Sequence, residues 1–143
     1  MTNSRIALVT GATSGLGFET AAQLAQQGFD RVIATGRTRE KAASAAARLA
    51  GRTGKDIFAP VAVDLDNLDS VEAAVAEMSS SGSRVDVAVL NAGVAPTKEL
   101  RRNAAGYELT VTSSLIGHHL LTIRMLESSL FAGDARIVIA GSE

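Results

Sequence analysis

Thr10-Gly11-Ala12-Thr13-Ser14-Gly15-Leu16-Gly17 joins a compact apolar run, Ile6-Ala7-Leu8-Val9, to a helical stretch over 16–27 that Gly28 is placed to stop. Outward from this turn, short β-branched runs alternate with longer helical stretches. Arg31-Val32-Ile33-Ala34-Thr35 reads as a second strand, and alanine-rich 39–49 as a helix ending near Gly51 and Gly54. Residues 57–63 supply a third strand, in which Pro60, without a backbone donor, suits a strand start or a sheet edge. Asp66 or Asn67 caps a helix whose apolar positions Leu68, Val71, Val75 and Met78 share one face. The serine turn over 79–83 is too short for a domain linker. Residues 85–90 form a fourth strand with Asn91-Ala92-Gly93 at its end. A loop containing Pro96 precedes a long helix over 104–128, and 136–140 reads as a fifth strand.

Strands returned by helical crossovers pair in parallel, with helices on both faces of the sheet. The strands are apolar throughout rather than alternating, as both-sided burial requires. The expected class is α/β, a Rossmann-type doubly wound parallel sheet, truncated after the fifth strand because the sequence stops at Glu143. At 143 residues this is one domain, 1–143, with a single core.

Composition narrows the chemistry. The absence of cysteine excludes disulfides, thiolate metal sites and thiol catalysis in these residues. A formal net charge of −1 gives no bulk attraction to nucleic acid or to an anionic membrane. No apolar run approaches the roughly 20 residues that span a bilayer, and the N-terminus does not read as a targeting segment. The expectation is a cytoplasmic protein with no nucleic-acid or membrane partner. His118 and His119 are adjacent and point about 100° apart on a helix, so they cannot chelate one ion; no metal site is expected.

The glycine turn carries the strongest chemical signal. A phosphate-bearing ligand needs backbone N–H groups aimed at it, no Cβ in the way, and the positive end of a helix behind them. Gly11, Gly15 and Gly17 allow close approach, Leu16 adds a backbone amide, and Thr13 and Ser14 add hydroxyl donors. The spacing Gly-x-x-x-Gly-x-Gly is one residue wider in its first gap than the common dinucleotide fingerprint. The bland alternative is a turn that serves only strand–helix packing.

This widened spacing resembles the cofactor loop of the short-chain dehydrogenase/reductase family, and further segments agree in order. Val63-Asp64-Leu65 is similar to the family segment whose Asp contacts adenine. Leu90-Asn91-Ala92-Gly93 resembles the family's Asn-Asn-Ala-Gly, with Leu90 in place of the first Asn. Arg136-Ile137-Val138-Ile139-Ala140-Gly141-Ser142 resembles the strand that ends at the catalytic serine. Taken alone, Asp64 is equally a turn or cap residue and Asn91 a turn stabiliser. The resemblance implies cofactor contacts from Asp64, Leu65, Asn91, Ala92 and Gly93, and a catalytic role for Ser142. It also implies a small-molecule carbonyl or alcohol substrate; the long helix near 104–128 is the candidate homo-oligomer surface.

NAD-users typically place an acid at the end of the second strand to hold the ribose hydroxyls. Here Gly36 stands there, followed by Arg37, and residues 31–55 hold seven Arg or Lys against the single acid Glu40. Loss of the carboxylate and gain of a guanidinium favour a 2′-phosphate, so NADP(H) is expected over NAD(H). Arg48, Arg52 and Lys55 read as decoration of a solvated helix face.

The resemblance also implies a Tyr-x-x-x-Lys proton-transfer pair roughly a dozen residues beyond Ser142. Tyr107, with Val111 four residues on, is no substitute, and the family's proton-relay Asn falls at Ser114. Two readings follow. The chain is the NADP(H)-binding part of a short-chain oxidoreductase that moves hydride between nicotinamide and a carbonyl or alcohol, or it is a non-catalytic NADP(H)-binding or sensing module. In either case these 143 residues alone are expected to give no reductase turnover, because no proton donor backs the hydride acceptor. NADPH oxidation with a panel of aldehydes, ketones and quinones checks this.

Overall fold

The computed structural model describes residues 4–141. Its elements run β1 (Ile6–Val9), α1 (Gly15–Gln26), β2 (Arg31–Gly36), α2 (Arg39–Thr53), β3 (Phe58–Ala62), α3 (Leu68–Ser80), β4 (Val85–Leu90), α4 (Leu109–Val111), a π-helical turn (Thr112–Ile116), α5 (Gly117–Glu127) and β5 (Phe131–Ile139). All strands are parallel, in the order β3-β2-β1-β4-β5. The chain therefore winds outward from β1 in one direction, then crosses back and winds in the other. Between β1 and β4 the connections leave in opposite senses, which opens a crevice at the strands' C-terminal ends.

Two apolar layers follow from the two-sided sheet. On one face Val9, Ala21, Ala25, Val32 and Leu49 pack β1 and β2 against α1 and α2. On the other, Leu8, Ile33, Val71, Val75, Leu121 and Met125 pack the same strands against α3 and α5. Adjacent strand residues point to opposite faces, so Leu8 and Val9 serve different layers and both are fully buried. The first layer is lined with alanine, which lets α1 and α2 lie close to the sheet.

The middle helices follow the sequence expectation, with Asn67 rather than Asp66 as the α3 cap: its side chain accepts from the Asp69 N–H. Val71, Val75 and Met78 are buried as expected, together with Ala74. Helix α2 runs through Gly51 and ends only at Gly54. Pro60 sits in the middle of β3 rather than at its start, and β3 is an end strand. The Ile57 carbonyl accepts from Val32 N–H and Val63 N–H donates to the Gly36 carbonyl, so odd-numbered residues face β2 and the missing donor of Pro60 faces outward. The Pro60 carbonyl is held by Arg39, whose guanidinium also forks onto Glu77 at 2.9 and 2.6 Å.

The long helix departs from expectation in start and character. It begins at Leu109, not near residue 104, and Tyr107 precedes it. Asn103 Oδ1 accepts from the Ala105 and Tyr107 N–H groups, and Gly106 takes φ +87°, so 103–107 is a tight turn closed by an Arg102–Glu108 bridge. Glu108 then caps the helix through Thr110 and Val111. The hydroxyls of Thr112 and Ser113 bond to carbonyls one turn back, at 2.8 Å each, where the ladder widens to π spacing. The last strand is longer than expected, from Phe131 rather than residue 136, and Ile137, Val138 and Ile139 remain exposed on it.

Gly117 opens α5 where that helix packs against the loop after β3. A Cβ there would collide with the Leu65 carbonyl and lie 2.8 Å from the Leu65 Cβ. Gly117→Ala must push α5 off the sheet, and overpacking of this kind costs about 1–3 kcal/mol. We expect the urea midpoint of Gly117→Ala to fall by that amount, whereas Gly133→Ala, with nothing within 4 Å, leaves it unchanged.

Candidate functional site

The crevice between β1 and β4 is a cleft of about 260 Å³. Its walls come from the loops after four strands: Gly11, Thr13 and Ser14 after β1, Gly36 and Arg37 at the end of β2, 63–66 after β3 and 91–94 after β4. Ser113, from the π turn, closes one side.

The glycine loop is held from both directions. Ala12 N–H donates to the Thr35 carbonyl at 3.1 Å, and Gly11 N–H to the Thr35 hydroxyl at 3.3 Å. Gly11 takes φ +66°, and a Cβ on it would lie 2.9 Å from the Ala92 Cα. Gly15, at φ +55°, has nothing within 4 Å of where its Cβ would stand. Ser14 is the N-cap of α1, but its hydroxyl makes no capping bond, and no acid lies in the first turn. Side chains of Thr38, Asn67 and Glu108 cap α2, α3 and α4. The N-terminus of α1 therefore keeps free donors and an uncompensated partial positive charge beside an open, Cβ-free surface.

Gly36 has a steric cause. A Cβ there would stand 2.8 Å from the Ala42 N and 2.9 Å from the Thr13 Cγ2. No carboxylate side chain fits at the end of β2, so Arg37 is the first side chain available to that wall. Its guanidinium lies 3.6 Å from Asp64 Oδ1 through Nε and 3.5 Å from Asp66 Oδ2 through Nη2.

The β4 loop is fixed by a buried network. Thr10 Oγ1 accepts from the N–H groups of Asn91 and Ala92 at 2.9 and 3.0 Å. It lies 2.8 Å from His118 Nε2, while His118 Nδ1 lies 3.1 Å from the Ser114 carbonyl. A carbonyl only accepts, so Nδ1 carries the proton and Nε2 accepts from the Thr10 hydroxyl. Asn91 Nδ2 completes the set by donating to the Thr10 carbonyl at 3.3 Å.

Sequence comparison places this geometry in a family. The short chain dehydrogenase family matches residues 5–143. The chain belongs to the short-chain dehydrogenase family. It is 39% identical over 140 residues to a chloroplastic protochlorophyllide reductase of Chlamydomonas reinhardtii, covering 95% of this chain and 35% of that protein. It is 36% identical over 143 residues to a WW domain-containing oxidoreductase of Drosophila melanogaster, covering 99% of this chain and 34% of the relative. The chain thus spans about a third of the length of these curated relatives. A metagenomic short-chain oxidoreductase solved in complex with NADP superposes with a TM-score of 0.80 at 26% identity, covering 99% of this chain and 63% of that one. The doubly wound, nucleotide-binding Rossmann architecture expected from the strand order is the family's fold.

Among the expected family residues, Gly11, Thr13, Ser14, Arg37, Asp64, Leu65, Asn91, Ala92 and Gly93 all line the one cleft. Gly15 and Leu16 flank it, with Leu16 69% exposed. Gly17 is buried behind it, where a Cβ would collide with the Gly11 carbonyl. Ser142 lies outside the described residues.

Several contacts lie beyond what the sequence shows. His118, for which no ligand role is expected, is buried and joins α5 through Thr10 to the ends of β1 and β4. Arg48, taken as surface decoration, donates to the Thr13 carbonyl at 2.6 Å and lies over the Phe18 ring, bracing the glycine loop from α2. Lys55 and Arg52 likewise clamp α1, through the Ala25 carbonyl and Glu19. Asp66, expected only as a cap, stands in the cleft wall. Four-residue spacing from Ser114 to His118 was the one visible hint of the histidine's bond to the preceding turn.

Burial lowers the His118 pKa, against a smaller opposing pull from the Ser114 carbonyl. The unfolded chain therefore takes up a proton below about pH 6.5 that the folded chain resists. Stability from this residue is complete above that pH and is lost as pH falls through it, by at most about 1.4 kcal/mol per pH unit. Urea denaturation at pH 7.5 and 5.5 should show a steeper loss for the native chain than for His118→Gln, which cannot titrate there. Parallel losses would remove His118 as the cause.

Proposed function

We propose that residues 1–143 are the NADP(H)-binding part of a short-chain oxidoreductase that moves hydride between nicotinamide and a small-molecule carbonyl or alcohol. The observation that carries this reading is the uncapped, acid-free N-terminus of α1 opening onto a Cβ-free surface at Gly15, with Arg37 lining the same cleft. Gly11, Thr13, Ser14, Gly15, Leu16 and Gly17 would hold the pyrophosphate, through backbone donors and the helix end. Asp64 and Leu65 would receive the adenine, and Asn91, Ala92 and Gly93 the nucleoside on the β4 side. Arg37 would meet the 2′-phosphate with charge-assisted bonds, and Gly36 leaves no carboxylate to oppose it from the same strand end. The bound cofactor supplies the hydride; this chain's part is to bind and orient it. Ser142 would hydrogen-bond the substrate oxygen. NADP in the superposed oxidoreductase supports the cofactor class.

Ser114 favours a second reading, a non-catalytic NADP(H)-binding or sensing module. It stands where the family's relay Asn would be, and a serine lacks the amide's paired donor and acceptor. A cytoplasmic location and a homo-oligomer contact along the exposed Val111, Leu115 and Leu126 are also proposals. The chloroplastic relatives weigh against the first of these.

Calorimetric titration tests the cofactor assignment. NADPH should bind more tightly than NADH by about 1–3 kcal/mol, and Arg37→Ala should erase the difference. Gly15→Ala puts a methyl into the phosphate surface and should weaken both cofactors alike. Equal affinities in the native chain, or a preference that survives Arg37→Ala, would remove the assignment.

A further inference from the structure

Asp66 is a half-buried carboxylate in the cleft wall without an ordinary structural task. Its side chain is 10% exposed, and its Oδ1 is buried with no hydrogen-bond partner among the described residues. The cap of α3 is Asn67, so Asp66 does not serve that helix end. Its backbone does structural work, since Asn103 Nδ2 donates to its carbonyl and its own N–H donates to Asp64 Oδ1. Its carboxylate instead faces Arg37, with Nη2 at 3.5 Å from Oδ2. That distance is long for a hydrogen bond, so the guanidinium is attracted without its donors being used up. The Arg37 side chain is 59% exposed and free to turn toward a ligand, whereas that of Asp66 is mostly covered.

The surrounding charges oppose an arriving phosphate. Burial and the neighbouring Asp64 raise the Asp66 pKa, Arg37 and Arg101 pull it down, and Glu108 adds to the repulsion. With both aspartates ionised, Arg37, Asp64 and Asp66 together carry one net negative charge. An orphaned buried oxygen is costly to stability, and a purely structural role would not require it.

We infer that Asp66 is a specificity-determining residue: its carboxylate competes with the cofactor 2′-phosphate for Arg37 and so limits the preference for NADPH over NADH. This rests on the proposed NADP(H) reading, and it concerns the degree of selectivity rather than its existence. A hydroxyl in place of the 2′-phosphate makes no comparable demand on the guanidinium, so NADH binding is insensitive to Asp66.

The test is titration of NADPH and NADH by calorimetry into the 143-residue chain, Asp66→Asn, Asp66→Ala, Arg37→Ala and the Asp66→Asn/Arg37→Ala double variant, each with its thermal midpoint. Both single Asp66 variants should bind NADPH about tenfold more tightly and NADH within twofold of the native chain. In the Arg37→Ala background the gain should largely vanish. Unchanged or weaker NADPH binding by folded Asp66 variants, or equal tightening of NADH, overturns the inference while Arg37-dependent NADPH preference in the native chain leaves the cofactor reading standing. A native chain that binds neither cofactor overturns both.

Discussion

The hydroxyl of Thr10 has one proton to give and two lone pairs to fill, and the switch point is arranged around that valence. Its proton goes to His118 on α5, and its lone pairs take the Asn91 and Ala92 N–H groups at the end of β4. One buried oxygen therefore joins the first strand, the fourth strand and the last helix. Each partner is constrained in turn. His118 must be neutral and protonated on Nδ1, because its other nitrogen has to accept. The β4 loop must turn its first two amides inward, and Asn91 to Val94 together line the cleft. A valine would fill the same volume yet leave two amides and an imidazole nitrogen unpaired in a buried place, each a cost of about 1–3 kcal/mol.

Close packing beside this network explains several glycines in and around the cleft. Gly17 lets α1 approach the Gly11 carbonyl, Gly36 admits α2, and Gly117 admits α5 against Leu65. None of these three needs an unusual backbone; each removes a collision. Gly11 and Gly15 differ, with positive φ in the loop itself. The loop glycines thus leave the backbone amides at the start of α1 uncovered by side chains. The helix behind them keeps its end charge because neither cap nor acid has been placed there.

Much of this architecture was legible because it rests on local pattern. Apolar runs of strand length separated by helical periodicity gave the order of elements. The spacing of Val71, Val75 and Met78 gave the buried face of α3. Val85–Leu90 matched residue for residue. What escaped depends on partners distant in sequence. Thr10 and His118 are separated by 108 positions, Thr13 and Arg48 by 35, and nothing near either histidine or arginine announces the contact. The helix start was misplaced for a local reason: the propensities of Ala104 and Ala105 were outweighed by the Asn103 side-chain bonds and the left-handed Gly106. Nor does period alone distinguish a π turn from an α-helix, since one extra residue per turn leaves the sequence looking helical.

The arginines show how position divides one residue type into two uses. Arg39 forks onto Glu77, Arg52 onto Glu19, and Arg124 bonds both Glu72 and Glu127. These guanidiniums join α2 to α3, α2 to α1 and α5 to α3, with donors committed to carboxylates at ordinary hydrogen-bond range. They lie at exposed positions, where such pairs contribute little individually and act as fasteners. Arg37 is different in kind. Its neighbours are carboxylates too, but they stand at 3.5 and 3.6 Å, beyond ordinary hydrogen-bond range. A guanidinium attracted by charge but not consumed by hydrogen bonds keeps its planar fork for another acceptor. The cleft therefore holds its cation in a state that the fasteners elsewhere do not share.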